Sequence, residues 1–374
     1  MVREAEAMGA YKVLGIAGGH RHTVIATAEG VCTFGDNVYG QLGHCNYRTA
    51  YTFRPKWVAS MPVVAVAAGM VHTVMCTDVG QVFTCGHGNY GQLGHGAMQN
   101  ESTPRLVEAL LGRKVVTVAA GGYHTAAVTK GGELLTFGCG ICGQLGYVQL
   151  GYGSTQDERR PRLVEALGGK QVTAVACAIR HTTVCTDAGE VYTFGSGVFG
   201  QLGHGAESDE RTPRLVEALV GRKVVAVAAG DRHTAVVTEG GELLTFGAGG
   251  YGRLGHGDTQ GERVPKLVVL ADSRVVNVAC GSTHTVVCTD AGEVFACGYG
   301  RMGHGEIHHS QRWLRRVGAL VGKKVINVAA GVRHTVVVTD AGEVLTFGCG
   351  YFGCLGHGGT GDELLPRAVD AELG

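Results

Sequence analysis

A Gly-x-x-His-Thr motif recurs seven times along the 374 residues of this chain, at His22, His72, His124, His181, His233, His284 and His334, with Ala178 replacing Gly in one copy. The intervals between histidines are 50, 52, 57, 52, 51 and 50 residues. Each copy is followed by a glycine-rich block, of which Phe194-Gly195-Ser196-Gly197-Val198-Phe199-Gly200-Gln201-Leu202-Gly203-His204 is a full version. One unit of this size cannot bury its own apolar face, so successive units must stack into one continuous body. Length alone therefore does not argue for two or three domains. A short extension, 1–10, followed by a single domain, 11–374, is expected.

The stretch Thr212–Gly257 shows what one unit contains. Pro213–Leu219 is a short segment entered through a proline, as suits an outer edge strand. Lys223–Gly230 is β-branched and almost continuously apolar, and His233–Thr238 follows after Asp231 and Arg232. Glu239-Gly240-Gly241 is a hairpin signal leading into Glu242–Gly247, which ends in the glycine-rich block. Four short strands and no helical periodicity predict an all-β fold: a seven-bladed β-propeller of four-stranded antiparallel blades. A linear β-solenoid is the alternative, but about fifty residues per unit suits a blade better than a coil. The chain enters within Lys12–Gly18 and ends with a lone Leu365–Val369 strand. Taken as two parts of one blade, these predict that the N- and C-terminal segments pair and seal the ring.

The 63 glycines occupy fixed slots of the repeat, as tight turns require, and lack the every-third-residue period of collagen. Lys plus Arg equals Asp plus Glu at 32 each, with no basic run at either end, so no direct nucleic-acid surface is expected. No uninterrupted apolar run suits a membrane span, and the first residues lack the apolar core of a leader peptide. The expectation is an intracellular protein, cytoplasmic or nuclear. Most of the 13 cysteines fill apolar slots of the repeat: Cys76, Cys185 and Cys288 replace Ala or Val, Cys85 and Cys297 replace Phe, and Cys177 and Cys280 replace Ala. They read as small buried hydrophobes in the reduced state.

The repeat also explains most motifs that suggest chemistry. Of 17 histidines, seven belong to His-Thr and six follow Leu-Gly or Met-Gly (His44, His95, His204, His256, His304, His357), with Tyr147 read into that slot of the third copy. Metal ligands must converge, whereas repeated positions spread around a ring. These histidines are expected to be structural, bonding backbone at glycine-rich turns. His308-His309 reads as solvated in an irregular loop, and Cys139-Gly140-Ile141-Cys142 as a chance Cys-x-x-Cys. The Gly-x-Gly-x-x-Gly blocks lack the helix that would make them phosphate cradles. No catalytic residue, cofactor or metal is assigned. Two copies depart most. The third contains Val148–Tyr152, read as a slipped duplicate of Gly143–Tyr147, and the sixth, Gly298–His304, is three residues short and is followed by Gln311-Arg312-Trp313-Leu314-Arg315-Arg316.

The copies Phe194–His204 and Gly331-Val332-Arg333-His334-Thr335 resemble the regulator of chromosome condensation repeat, over about residues 11–370. The resemblance implies a seven-bladed propeller and one of three roles. These are guanine-nucleotide exchange on a Ran-type small GTPase, UV-B photoreception, or the holding of partners, alone or within larger ubiquitin ligases and signalling proteins. Photoreception would call for tryptophan where this chain has His20, Met70, Gly122, Ile179, Asp231, Ser282 and Val332; its two tryptophans, Trp57 and Trp313, lie elsewhere in the repeat. Exchange would call for a wedge near the third repeat, where the longest interval falls.

The two residues between the motif Gly and His vary most among copies and should cluster on one face near the central channel. A constant scaffold carrying one variable loop set is how binding sites are built. His20, Arg21, Met70, Tyr123, Ile179, Arg180, Asp231, Arg232, Val332 and Arg333 are therefore the expected partner-binding face. The sequence reads as a non-enzymatic protein-interaction propeller, its partner a signalling protein, a ubiquitin-pathway protein or a small GTPase. Ran-type exchange is the alternative.

Overall fold

Every repeat folds the same way because its apolar, β-branched runs are short and are punctuated by glycines. In the computed structural model, which describes residues 11–45, 50–140, 149–270 and 273–369, these runs form seven four-stranded antiparallel sheets. In the fifth blade the inner strand Val224–Ala229 pairs with His233–Thr238, then Leu243–Gly247, then the outer strand Glu262–Val268. The second strand of each blade is buried along its whole length, as in His233–Thr238. The inner strand lines the channel, and the outer strand is mostly exposed.

The blades are contiguous in sequence, which corrects the predicted closure. Tyr51–Ala59 completes the first blade and Glu363–Ala368 completes the seventh, so no blade contains both ends of the chain. The prolines belong to the strand that finishes a blade: Arg214, after Pro213, pairs with Thr193 of the fourth blade rather than with the strands that follow. The glycine-rich block turns the chain back antiparallel beside the strand just left. The Glu217–Leu219 3-10 turn then carries it to the inner position of the next blade.

Lateral packing closes the ring. Ile16, Ile25 and Phe34 of the first blade share an apolar cluster with Val336, Val338 and Val344 of the seventh. Val332 N donates to Gly19 O (3.2 Å) and Gly358 N to Phe53 O (2.9 Å) across the same seam. Equivalent clusters fill every inter-blade space; Phe246, Val216, Leu219 and Val224 do so between the fourth and fifth blades.

The glycine of Leu-Gly-His is explained by this packing. It adopts positive φ, 78° at Gly203, and a Cβ there would lie 2.8 Å from the Phe246 ring of the next blade. In the third blade the framework slot belongs to Tyr152, not Tyr147. Thr136 Oγ1 meets Leu150 O and Tyr152 Oη, both at 2.7 Å, as Thr193 Oγ1 meets Leu202 O and His204. Gln149–Gly153 is thus the in-phase copy, and Gly143–Tyr147 is the extra one, outside the described residues, as is Cys142 of the Cys-x-x-Cys. His308 and His309 open the outer strand His308–Arg316 rather than lying in a loop.

The described cysteines carry no disulfide. Cys76, Cys185 and Cys288 place Sγ 3.2–3.4 Å from the Val115, Val224 and Val325 carbonyls of the next blade. Burial pushes these three thiols up to about 11. No helix among the described residues is long and apolar enough to cross a membrane.

Candidate protein-binding face

The seven motif histidines form a closed inter-blade circuit. Nε2 of His22, His72, His124, His181, His233, His284 and His334 meets Oγ1 of Thr73, Thr125, Thr182, Thr234, Thr285, Thr335 and Thr23, in that order, at 2.9–3.2 Å. Six of these threonines also bond a loop carbonyl of the preceding blade, as Thr234 does Gln201 O at 2.7 Å. A hydroxyl has one proton to give. Since it goes to the carbonyl, Nε2–H must donate to the threonine, which leaves Nδ1 bare. Nδ1 of His22, His72, His124, His181 and His233 is buried without a hydrogen-bond partner.

Each motif glycine lies under the imidazole; a Cβ on Gly69 would come 2.5 Å from His72 Cε1. The expected backbone partners are thus replaced by threonine hydroxyls, both here and at His44, His95, His204, His256 and His357, which meet Thr33, Thr84, Thr193, Thr245 and Thr346 of their own blades. His304, whose blade has Ala296 in the threonine slot, bonds a carbonyl instead, Arg315 O at 3.2 Å.

This circuit holds the variable loops in place. His20, Met70, Gly122, Ile179, Asp231, Ser282 and Val332 come together around the channel mouth. Their loops are linked blade to blade through the backbone, for example His20 N to Gly69 O (3.1 Å) and Met70 N to Gly121 O (3.0 Å). Burial, then Arg21 and Arg333, hold His20 down to about 4, so it is neutral at pH 7. Asp231 is pushed up by burial, against the opposing pull of its Ser282 hydrogen bond and of Arg253, Arg232 and Arg180.

Arg21, Tyr123, Arg180, Arg232 and Arg333 stand just outside this inner ring, so the structure brings the predicted residues onto one face. It also adds residues that the sequence reading passed over. The glycine-rich loops open on the same side, because Gly35 and Asp36 sit against the Arg21 carbonyl, Asp36 N donating to it at 2.9 Å. The residue before Gly-x-Leu-Gly is aromatic in several copies: Tyr39, Tyr90, Phe199, Tyr251 and Phe352. Four of these are 36–49% exposed. The recurrence was visible in the repeat but was hidden among the turn glycines.

Arginines and aromatics interleave on this face. The Arg21 guanidinium lies 4.1 Å from the Phe352 ring centre and that of Arg232 lies 4.7 Å from Phe199. Tyr90 and Tyr123 meet edge-on at 5.1 Å. The opposite face differs in kind. Its exposed charges form pairs such as Arg113–Glu133 (3.1 Å) and Lys170–Glu190 (2.7 Å), which add little to stability and balance one another. No group of residues suited to a metal occurs among the described residues.

Comparison with known proteins agrees with this architecture. Residues 146–373 match the RCC1-like domain, and residues 29–76, 79–128 and 115–144 match the regulator of chromosome condensation (RCC1) repeat. The chain is 37% identical over 282 residues to the E3 ubiquitin-protein ligase HERC2 of Homo sapiens, covering 74% of this chain and 6% of that protein. It is 35% identical over 293 residues to the ultraviolet-B receptor UVR8 of Arabidopsis thaliana, covering 77% of this chain and 65% of the receptor.

Among solved structures it resembles human WBSCR16, with a TM-score of 0.80, 24% identity, and 90% and 93% of the two chains covered. It also resembles yeast RCC1 (Prp20), solved bound to Kap60, with a TM-score of 0.80, 21% identity and coverage of 99% and 89%. At those identities the structures speak for the fold alone. With seven blades built on one repeat and the family's domain matched over more than half its length, the chain belongs to the regulator of chromosome condensation (RCC1) repeat family.

Proposed function

We propose that this propeller is a non-enzymatic module that holds a protein partner on the face carrying the channel mouth. The observation that carries this reading is the interleaving of arginines with aromatics on that face, Arg21 with Phe352 and Arg232 with Phe199. Both residue types are enriched among interface anchors, and together they suit an acidic or mixed protein surface. Reversing three charges, Arg180→Glu, Arg232→Glu and Arg333→Glu, is expected to weaken partner capture by about a hundredfold or more while leaving the thermal melt close to wild type. A triple variant that still captures the partner at wild-type strength would remove this face from consideration.

The 57-residue interval between His124 and His181, the longest in the repeat, supports a second reading as a Ran-type exchange factor. We expect no acceleration of nucleotide release when the protein is added in catalytic amounts to a Ran-type GTPase loaded with a fluorescent guanine nucleotide. Acceleration would reverse the order of the two readings. UV-B reception through a tryptophan cluster lacks the residues. Trp57 packs edge-on against Tyr11, and Trp313 lies on the outer strand of the sixth blade.

A further inference from the structure

We propose that the groove beside the sixth blade seats an extended, acidic segment of the partner, an inference that rests on the face assigned above. The groove exists because the sixth glycine-rich block is three residues short. Instead of turning outward in a loop, the third strand runs on to Gly300, which pairs with His308 of the outer strand. The missing loop leaves a trench of about 760 Å³ that runs from the channel mouth toward the rim.

Aromatic rings wall it on both sides. Tyr251 and Tyr299 stand 5.1 Å apart on one side, and Tyr351 meets Phe352 edge-on at 4.8 Å on the other. Tyr351 is nonetheless 68% exposed, unusual for so large a ring. Arg21, Arg301 and Arg333 also line the trench. Asp362 is the one carboxylate among its described lining residues, and it pairs with Arg301 at 2.6 Å. His20, neutral at pH 7, adds no charge. The trench is therefore basic and aromatic, suited to a chain that alternates carboxylates with an apolar anchor.

The backbone of one wall supports the assignment. In the first, second and fourth blades the glutamine of Gly-Gln-Leu-Gly accepts from the aromatic residue's N–H, as Gln201 Oε1 does from Phe199 N at 2.8 Å. The fifth blade has Arg253 there, a donor where an acceptor is needed. Its Nε donates to Gly250 O (2.9 Å) and Nη1 to Ser282 O (2.8 Å). The loop presents a carbonyl in place of the N–H, and Tyr251 is driven to φ 65°, a left-handed conformation that a tyrosine adopts only at a cost. Strain of this kind persists where the surroundings impose it and is concentrated at functional sites. Here it sets Tyr251 beside Tyr299 on the same wall of the trench.

Panning random peptides displayed on phage against the full chain tests the proposal, followed by fluorescence anisotropy with the selected peptides made synthetically. The expected selections carry acidic residues around an aliphatic or aromatic one. Arg333→Glu and Tyr299→Ser should weaken their binding by about tenfold or more, and Arg180→Glu with Arg232→Glu, across the channel, by less than about twofold. Arg253→Gln should raise the melting temperature, by relaxing Tyr251, and at the same time weaken binding.

Selections without an acidic class, or acidic peptides that bind Arg333→Glu as they bind wild type, would overturn the groove. If only the Arg180/Arg232 pair matters, the face stands and the groove falls; if no variant matters, both fall. Displacement of selected peptides by a free nucleotide, with no loss in Tyr299→Ser, would assign the trench to a small anion instead and overturn the segment.

Discussion

Taken from about pH 7.5 to about pH 5, this protein will unfold, and it will do so steeply. Burial holds His22, His72, His124, His181 and His334 down to about 3, His284 to about 4, and His233 well below its usual 6.5. Each is neutral in the folded ring and regains an ordinary value near 6.5 when the chain unfolds. The unfolded state therefore binds more protons below pH 6.5. The stability that the neutral rings contribute is complete above that value and is lost progressively as the pH falls from there toward about 3. The loss is about 1.4 kcal/mol per pH unit for each histidine, so seven together approach roughly 10 kcal/mol per unit.

A typical folding free energy of about 5–15 kcal/mol does not survive one or two such units. The physical cause is burial, and for His22, His72, His124, His181 and His233 it acts on a bare Nδ1: a proton added there finds no acceptor, and Nε2 is already committed to threonine. Urea melts across this pH range measure the proton uptake directly. A slope of fewer than about two protons would mean that the circuit does not carry the effect. His124→Gln should lower the slope by about one proton, besides lowering stability at neutral pH.

Phe246→Ala is the second large effect, expected to cost about 3–5 kcal/mol. The ring is fully buried between the fourth and fifth blades, against Val216 and Gly203. Its removal opens a cavity that two rigid sheets cannot close. Because Gly203 has no Cβ so that this ring can approach, the two sites are coupled. Gly203→Ala in the wild type meets both the ring and a φ of 78°. In the Phe246→Ala background the backbone strain, about 1–2 kcal/mol, remains together with a 3.2 Å approach to Val216 Cγ1. Chemical denaturation of the four species gives the coupling. Strict additivity would mean that the contact is not the reason for the glycine.

Strand identity was legible in the sequence, because hairpin turns such as Glu239-Gly240-Gly241 and β-branched runs are local signals. The seven-fold ring followed from the repeat. Blade phase was not legible. The Pro-Arg strand has an irregular connection on either side, and its register against the preceding strand decides which blade it joins. The His-Thr pairing was hidden for a related reason: His124 and Thr182 are 58 residues apart and meet only after the blades stack. The first residue of each variable pair lies at the channel mouth, His20, Met70, Ile179, Asp231 and Val332 among them. The aromatic neighbours came into view only when the glycine-rich loops were seen to open on the same side. The third-block register depended on which of two near-identical copies bonds Thr136, and spacing does not distinguish them.

Each blade is complete within its own stretch of chain, and the seam between the first and seventh is packed like every other junction. No part of the ring records which blade was made first. A circular permutant cut at the Val220–Arg222 connection, with residues 369 and 13 joined by a short flexible tether, would reach the same architecture. Cuts inside a blade would sever its hairpins. The design tolerates rearrangement at the level of whole blades and resists it below that level.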